Sequence, residues 1–171
     1  MTQIYVIDAG VLFSKWIDKK KDASFITTPG IIEEVRNRMS RFRAETLFLL
    51  EKLQERTPSQ DTIAYIESIA NQIGDSSVLS KNDIELVALA YMLINEGLEL
   101  TLASTDFAVL NTASQLNIPI IDPNDKFSQK ITWGLRCPAC NYKSKTTAID
   151  RECPICGTTM RRTPLKKKKK S

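Results

Sequence analysis

Apolar residues along the first 121 positions follow two rhythms. Short runs rich in β-branched residues at 3–7, 25–28, 98–103 and 118–121 read as strands. Between them, apolar residues recur every three or four positions and read as helices. One helix starts at Asp8 and runs to about residue 16. A second opens on Pro29, which suits a first helical turn, and continues through Ile31, Ile32 and Val35. Leu47, Leu50 and Leu53 predict a long helix over 41–56. Ile63, Ile66, Ile69 and Ile73 predict another, stopped near Gly74. Ser80 and Asp83 have the spacing of a capping box ahead of an apolar helix over 84–95, and a last helix runs over 104–115. Strands alternating with helices predict an α/β fold: a parallel sheet covered on both faces.

The rhythm stops after residue 125. Residues 126–135 read as a linker. Residues 136–160 hold all four cysteines of the chain, as Cys137-Pro-Ala-Cys140 and Cys153-Pro-Ile-Cys156. Two C-x-x-C pairs at this separation have the pattern of a tetrahedral zinc site of zinc-ribbon type, built from thiolates. Asn141 and Gly157 follow the pairs and suit the left-handed backbone of a metal-gripping turn. Residues 161–171, dominated by lysine, are expected to be a basic disordered tail.

Composition narrows the chemistry. The chain has no histidine, which removes Ser-His-Asp and Cys-His nucleophilic sites and imidazole bases. With the cysteines assigned to metal, catalysis would fall to carboxylates, hydroxyls, lysine or a bound cation. Hydrophobic residues make up 42% of the chain, but no apolar run approaches a membrane span, and the first residues lack a signal-peptide pattern. Paired thiolates then suggest a reducing, cytoplasmic setting. Charge is lopsided: 13 Lys/Arg against 18 Asp/Glu in residues 1–130, and 11 against 2 thereafter. A basic end on an acidic body suggests a polyanionic partner.

Ligands of open parallel sheets collect beyond the carboxyl ends of the strands. Asp8, Asp106 and Asp122 each follow a predicted strand. Asp83 lies in a first helical turn, and Glu33 and Glu34 lie one turn into another helix. Ile31, Ile32, Val35 and Met39 mark that helix's buried face. Glu34 lies nearer its edge than Glu33 and is the better candidate to reach the sheet. Clustered carboxylates repel unless a cation sits among them, and oxygen ligands without His or Cys suit Mg²⁺ or Mn²⁺. Each acid also has a plainer use. Asp8 and Asp106 fit helix N-termini, Asp83 fits the capping box, and Glu34 could pair with Arg38.

Val6-Ile-Asp8-Ala-Gly, Thr28-Pro-Gly-Ile-Ile-Glu-Glu34-Val, Leu79-Ser-Lys-Asn-Asp83 and Ser104-Thr-Asp106 resemble, in order, the acidic motifs of PIN-domain nucleases. The Gly74-Asp-x-x-x-Leu79-Ser-x-x-Asp83 stretch and the ribbon resemble the Nin-one-binding family, which matures the 3′ end of small-subunit ribosomal RNA; the short chain is similar to archaeal members. The resemblance implies a PIN domain over residues 1–125 and a divalent-metal-dependent endoribonuclease. It further implies Mg²⁺ or Mn²⁺ held by Asp8, Glu34, Asp83 and Asp106, with structural zinc on Cys137, Cys140, Cys153 and Cys156. Many PIN proteins carry a further acid where this chain has Thr105, so one metal ion or two remain open. The implied partners are small-subunit precursor rRNA and pre-ribosomal small-subunit proteins, with no membrane. Alternatives are a non-catalytic RNA-binding scaffold, a ribonuclease of general RNA decay or toxin type, and a zinc-ribbon transcription-type factor, which the acidic α/β body disfavours. Arg36, Arg38, Arg41 and Arg43 are candidates for RNA phosphates or for a solvated face with pairs such as Arg41–Glu45. Lys143 and Lys145, with Arg151 and Arg161, are candidates for RNA docking. Trp133 and Tyr142 would stack on bases or pack the small module against its neighbour.

Overall fold

The computed structural model describes residues 3–145 and 151–169. Five strands form one sheet: β1 (Ile4–Ile7), β2 (Ser24–Thr27), β3 (Leu53–Glu55), β4 (Leu100–Ala103) and β5 (Ile120–Ile121). Their order is β3-β2-β1-β4-β5 and every pairing is parallel. From β1 the chain steps outward to β2 and β3, then returns to lay β4 on the other flank of β1. The β1–β4 junction is therefore the point where the winding reverses, the place in open α/β sheets where ligands collect beyond the carboxyl ends of the strands.

Strand alternation builds two cores. Val6, Ile26 and Leu102 point to one face. There they meet α4 (Gln60–Ile73), α5 (Lys81–Asn95) and α6 (Phe107–Gln115). Tyr5, Ile7, Phe25 and Ala103 point to the other, against α1 (Ala9–Phe13) and α3 (Arg38–Leu49). Tyr5 is the hub of that second core, stacked on Phe25 at 6.1 Å and met edge-on by Trp16 at 5.0 Å. The fully buried Leu86, Val87, Leu89, Ala90 and Leu93 make α5 apolar over most of its circumference, as a helix wedged between sheet and neighbours must be. The α/β expectation holds. No helix among the described residues is long and apolar enough to cross a membrane.

Three local expectations differ. The helix expected over 41–56 ends at Leu49, and β3 follows it. Glu51 adopts φ 54° and turns the chain, and Lys52 N–H bonds Leu47 O. Leu53 thus continues the leucine spacing in sequence but is buried from a strand. Two helices stop early: the one starting at Asp8 ends at Phe13, ahead of a 3₁₀ turn, Ile17–Lys19, and the one opened by Pro29 ends at Glu34, so Met39, expected on its buried face, is 73% exposed on α3.

The third difference lies in the linker and tail. Residues 129–136 and 161–169 are strands, β6 (Gln129–Arg136) and β8 (Arg161–Lys169), paired antiparallel along their lengths. With β7 (Lys143–Ser144) they form a second sheet, β7-β6-β8. Lysine composition alone argues for disorder, but the backbone of β6 pairs with β8 at every position, with one irregularity between Thr132 and Trp133. Lysines and Pro164 on an outer strand are also a usual defence against edge-to-edge aggregation.

The second sheet is bolted to the first domain. Asn111 of α6 donates to Ile131 O and accepts from Ile131 N–H, both at 2.7 Å. Arg162 of β8 reaches Asp75, just past the α4 C-terminus, at 2.8 Å, and Gly74 O at 2.9 Å.

Candidate active site and metal-binding module

Asp8 stands at the end of β1, at the reversal of the sheet, and is only 6% exposed. It caps α1, accepting the Val11 N–H at 2.7 Å on Oδ1. Oδ2 accepts Thr105 N–H at 3.0 Å and the Ser104 hydroxyl. Ser104 Oγ in turn accepts Asp106 N–H at 3.0 Å, so one buried serine ties the acid after β1 to the acid after β4. Asp106 caps α6 through Oδ1, which accepts Ala108 N–H at 2.6 Å, and Oδ2 has no hydrogen bond among the described residues.

Burial pushes the Asp8 carboxyl above its ordinary value. The Ser104, Val11 and Thr105 hydrogen bonds oppose this, and the negative charge of Asp83 adds to it. Asp83 completes the expected capping box, its Oδ2 accepting Ser80 N–H at 2.9 Å. The neighbouring Asn82 donates to Glu34 Oε1 at 2.6 Å, which draws Glu34 of α2 (Pro29–Glu34) toward α5. The plainer roles expected for Asp8, Asp83 and Asp106 are therefore real. Glu34 does not pair with Arg38, and among the described residues Arg41 forms no ion pair with Glu45.

Ser104 links Asp8 to Asp106, and Asn82, the residue before Asp83, holds Glu34. The four acids do not close into a tight cluster: among the described residues, the group of three or more potential ligands within 4.8 Å of one another is the cysteine set. The donor chemistry nonetheless fits a hard divalent cation: carboxylates, one of them raised in pKa by burial, with Asp106 Oδ2 and Glu34 Oε2 accepting no hydrogen bond among the described residues. Close packing also guards the cradle. A Cβ on Gly10 would overlap Thr105 Oγ1 and lie 3.3 Å from Asp8 Oδ1, while a Cβ on Gly30 would overlap Asn82 Oδ1.

Sequence reasoning did not single out Ser104, Asn82 or Asp75. Ser104 and Asn82 sit beside the chosen acids within the quoted motifs, and that adjacency was the available signal. Asp122 holds the turn after β5, accepting Asn124, Lys126 and Phe127 N–H groups, and lies outside the acid set.

The cysteines converge. All four Sγ atoms lie within 4.8 Å of one another, with Cys137–Cys156 and Cys140–Cys153 at 3.4 Å. The two turns match: Asn141 N–H bonds Cys137 O and Gly157 N–H bonds Cys153 O. Asn141 (φ 63°) and Gly157 (φ 70°) both take the expected left-handed conformation. Hydrogen bonding with Thr158 lowers the Cys156 thiol to about 6. At Cys140 a Tyr142 backbone bond lowers the pKa, but burial and bonds with Cys153, Cys137 and Cys156 outweigh it, to about 12. Four thiols held this closely suit a tetrahedral metal with no open position. Tyr142 packs against this small core, and Trp133 lies under the Arg162 guanidinium at 4.1 Å.

Of the candidate RNA-binding residues, Arg36, Arg38, Arg41, Lys143 and Lys145 are exposed. Arg43 is committed, donating to Leu12 O and pairing with Asp18 at 3.2 Å.

Residues 5–93 match the family described as the PIN domain of ribonuclease. The chain is similar to the endoribonuclease Nob1 of Pyrococcus abyssi, 29% identical over 147 residues that span 86% of this chain and 88% of that one. It is similar to the ribonuclease VapC1 of Thermoplasma acidophilum, 26% identical over 93% of this chain and 77% of the relative. It also resembles the 20S-pre-rRNA D-site endonuclease of Saccharomyces cerevisiae, 39% identical over 70 residues, or 41% of this chain and 15% of the yeast protein.

Proposed function

The chain belongs to the PIN-domain ribonuclease family, and from that premise we propose that it is a divalent-metal-dependent endoribonuclease that cleaves precursor small-subunit ribosomal RNA at its 3′ end. The observation supporting the reading is the Asp8–Ser104–Asp106 linkage at the reversal point of a parallel sheet, with Asn82, the residue before Asp83, holding Glu34. The choice of RNA rests on relatives named for precursor rRNA cleavage and for Nob1 endoribonucleases, together with the basic carboxyl-terminal region.

In this reading Asp8, Glu34, Asp83 and Asp106 hold Mg²⁺ or Mn²⁺. The bound ion supplies Lewis acidity toward the phosphate and a water of lowered pKa. The protein's part is to keep the acids in register. Ser104 and Thr105 N–H hold Asp8, the α6 N-terminus holds Asp106, and the capping box holds Asp83. In-line attack of water leaves a 5′-phosphate and a 3′-hydroxyl. The ribose 2′-hydroxyl plays no chemical part, so preference for RNA arises in binding. Cys137, Cys140, Cys153 and Cys156 hold structural zinc, and Lys143, Lys145 and the β8 lysines offer cations to the RNA backbone. Pre-ribosomal small-subunit proteins are the expected neighbours on the substrate particle.

The test is cleavage of a short RNA spanning the small-subunit 3′ end in Mn²⁺, comparing wild type with Asp8→Asn. A single cut lost in the variant supports the reading. Equal activity in both removes the acids from the chemistry, and cuts at many unrelated sites point to general RNA decay.

A further inference from the structure

A cavity of about 370 Å³ lies where α6, the turn after β5 and the second sheet meet, and the acids do not use it. This is within the span of about 300–1,000 Å³ typical of small-ligand pockets. Its walls include Val78, Phe107, Lys126, Phe127, Trp133 and Arg162. Phe107 directly follows Asp106 and begins α6, and Val78 lies in the loop leading to the Asp83 capping box. The cavity thus adjoins two of the four acids along the chain.

The lining is unusual for a surface with only a structural job. Phe107 is 52% exposed, so most of its ring is not spent on the core, and it stands 6.1 Å from Phe127. Arg162 is fixed by Asp75 and lies over Trp133 at 4.1 Å. Asp122 fixes the backbone at Lys126 and Phe127, and the Lys126 ammonium has no ion-pair partner among the described residues. Gln129, which carries a side-chain amide, is among the residues lining the same cavity. Aromatic faces beside a free ammonium and an amide are the chemistry that receives an unstacked base and its phosphate. A buried apolar side chain of a protein would gain nothing from Lys126 or Gln129.

We propose that this cavity receives one unstacked base of the substrate strand, next to the scissile phosphate. Phe107 is its stacking platform and Lys126 meets its phosphate. The proposal rests on the RNA-cleaving reading above and adds a specificity-determining site to it. It makes recognition depend on one nucleotide position, and it places that position at the junction of nuclease domain and ribbon.

The test is a binding cycle with the full-length, zinc-loaded Asp8→Asn protein and a short single-stranded RNA spanning the cleavage site. Each nucleotide is made abasic in turn and affinity is read by fluorescence anisotropy. One position is expected to lose about 10-fold. Phe107→Ala is expected to lose as much on intact RNA and nothing further at that abasic position, while Phe107→Tyr restores the affinity. Because Phe107 is half exposed, its removal does not threaten folding. The proposal is overturned by unchanged affinity in Phe107→Ala, which would leave the cavity to a protein partner. It is also overturned by a penalty spread equally over all abasic positions, or by losses that simply add. Cleavage by wild type with a failed cycle sinks the pocket alone. A successful cycle without wild-type cleavage sinks the nuclease reading alone.

Discussion

Replacing Arg162 with methionine tests how ribbon and nuclease domain are held together. The methionine keeps an apolar stem over Trp133 but removes the charge from Asp75, whose side chain is 1% exposed. Breaking a buried pair by deleting one partner costs about 3–5 kcal/mol, because the other charge is left behind. Arg162 is 26% exposed, and Asn111 and Thr112 still donate to Asp75 Oδ2. The loss belongs at the low end, about 3 kcal/mol. In an Asp75→Asn background no charge is stranded, and the same substitution should cost about 1 kcal/mol, near the value of an ordinary hydrogen bond. The expected coupling is therefore about 2 kcal/mol in a urea-unfolding cycle on zinc-loaded protein.

Acid supplies an independent sign. Burial holds the Asp75 carboxyl above its ordinary 3.8, against the lowering influence of Asn111, Arg162 and Thr112. The folded state then binds this proton more tightly than the unfolded chain. The group's contribution to stability falls as pH rises through that window and is recovered as pH falls. Losing Arg162 removes a lowering influence and widens the window, so the deficit of Arg162→Met relative to wild type should shrink as pH falls toward the ordinary carboxylate range. The Asp75→Asn background should show no such recovery. Equal losses in both backgrounds, or a deficit that grows in acid, would refute the stranded-charge account.

Other outcomes follow from the same geometry. Gly10→Ala should lower cleavage about 100-fold, the usual cost of displacing a positioned group by about 1 Å. Adding Thr105→Ala should recover much of that loss, because Thr105 Oγ1 is what the new methyl strikes; failure to recover would mean the cradle is not the cause. Elemental analysis should find one zinc per chain in wild type and none in Cys140→Ser purified at low zinc. Changing Lys166, Lys167 and Lys168 to glutamine should flatten the salt dependence of RNA binding by up to about 2 in log–log slope, at roughly 0.7 per single-strand contact. An unchanged slope would remove β8 from the RNA path.

The strand–helix alternation of the first 121 residues was legible because a sheet buried on both faces writes its strands as β-branched runs. The caps at Ser80 and Asp83 and the turns at Asn141 and Gly157 were legible because few residues satisfy those backbones. β3 was not, because Leu53 keeps the helical spacing of Leu47 and the turn at Glu51 carries no glycine. β8 was not, because its partner strand, rather than its own lysines, supplies its reason to be extended. At the candidate site the acids could be read one by one. Their linkage could not, since it runs through Ser104, whose neighbours Asp8 and Asp106 come together only when β4 lies down beside β1.

The Asp75–Arg162 pair also sets an order of events at birth. Asp75 is translated 87 residues before its cation, and β6 is made before the outer strand that completes it. The nuclease sheet can assemble as it emerges, each strand needing only partners already made, while Asp75 still waits with water or a proton in place of a guanidinium. The docking of β8 is thus the last fastening, made only after the cysteine turns have been synthesised. A newborn chain would become a finished nuclease only when its metal-bearing end has folded back onto the body that preceded it.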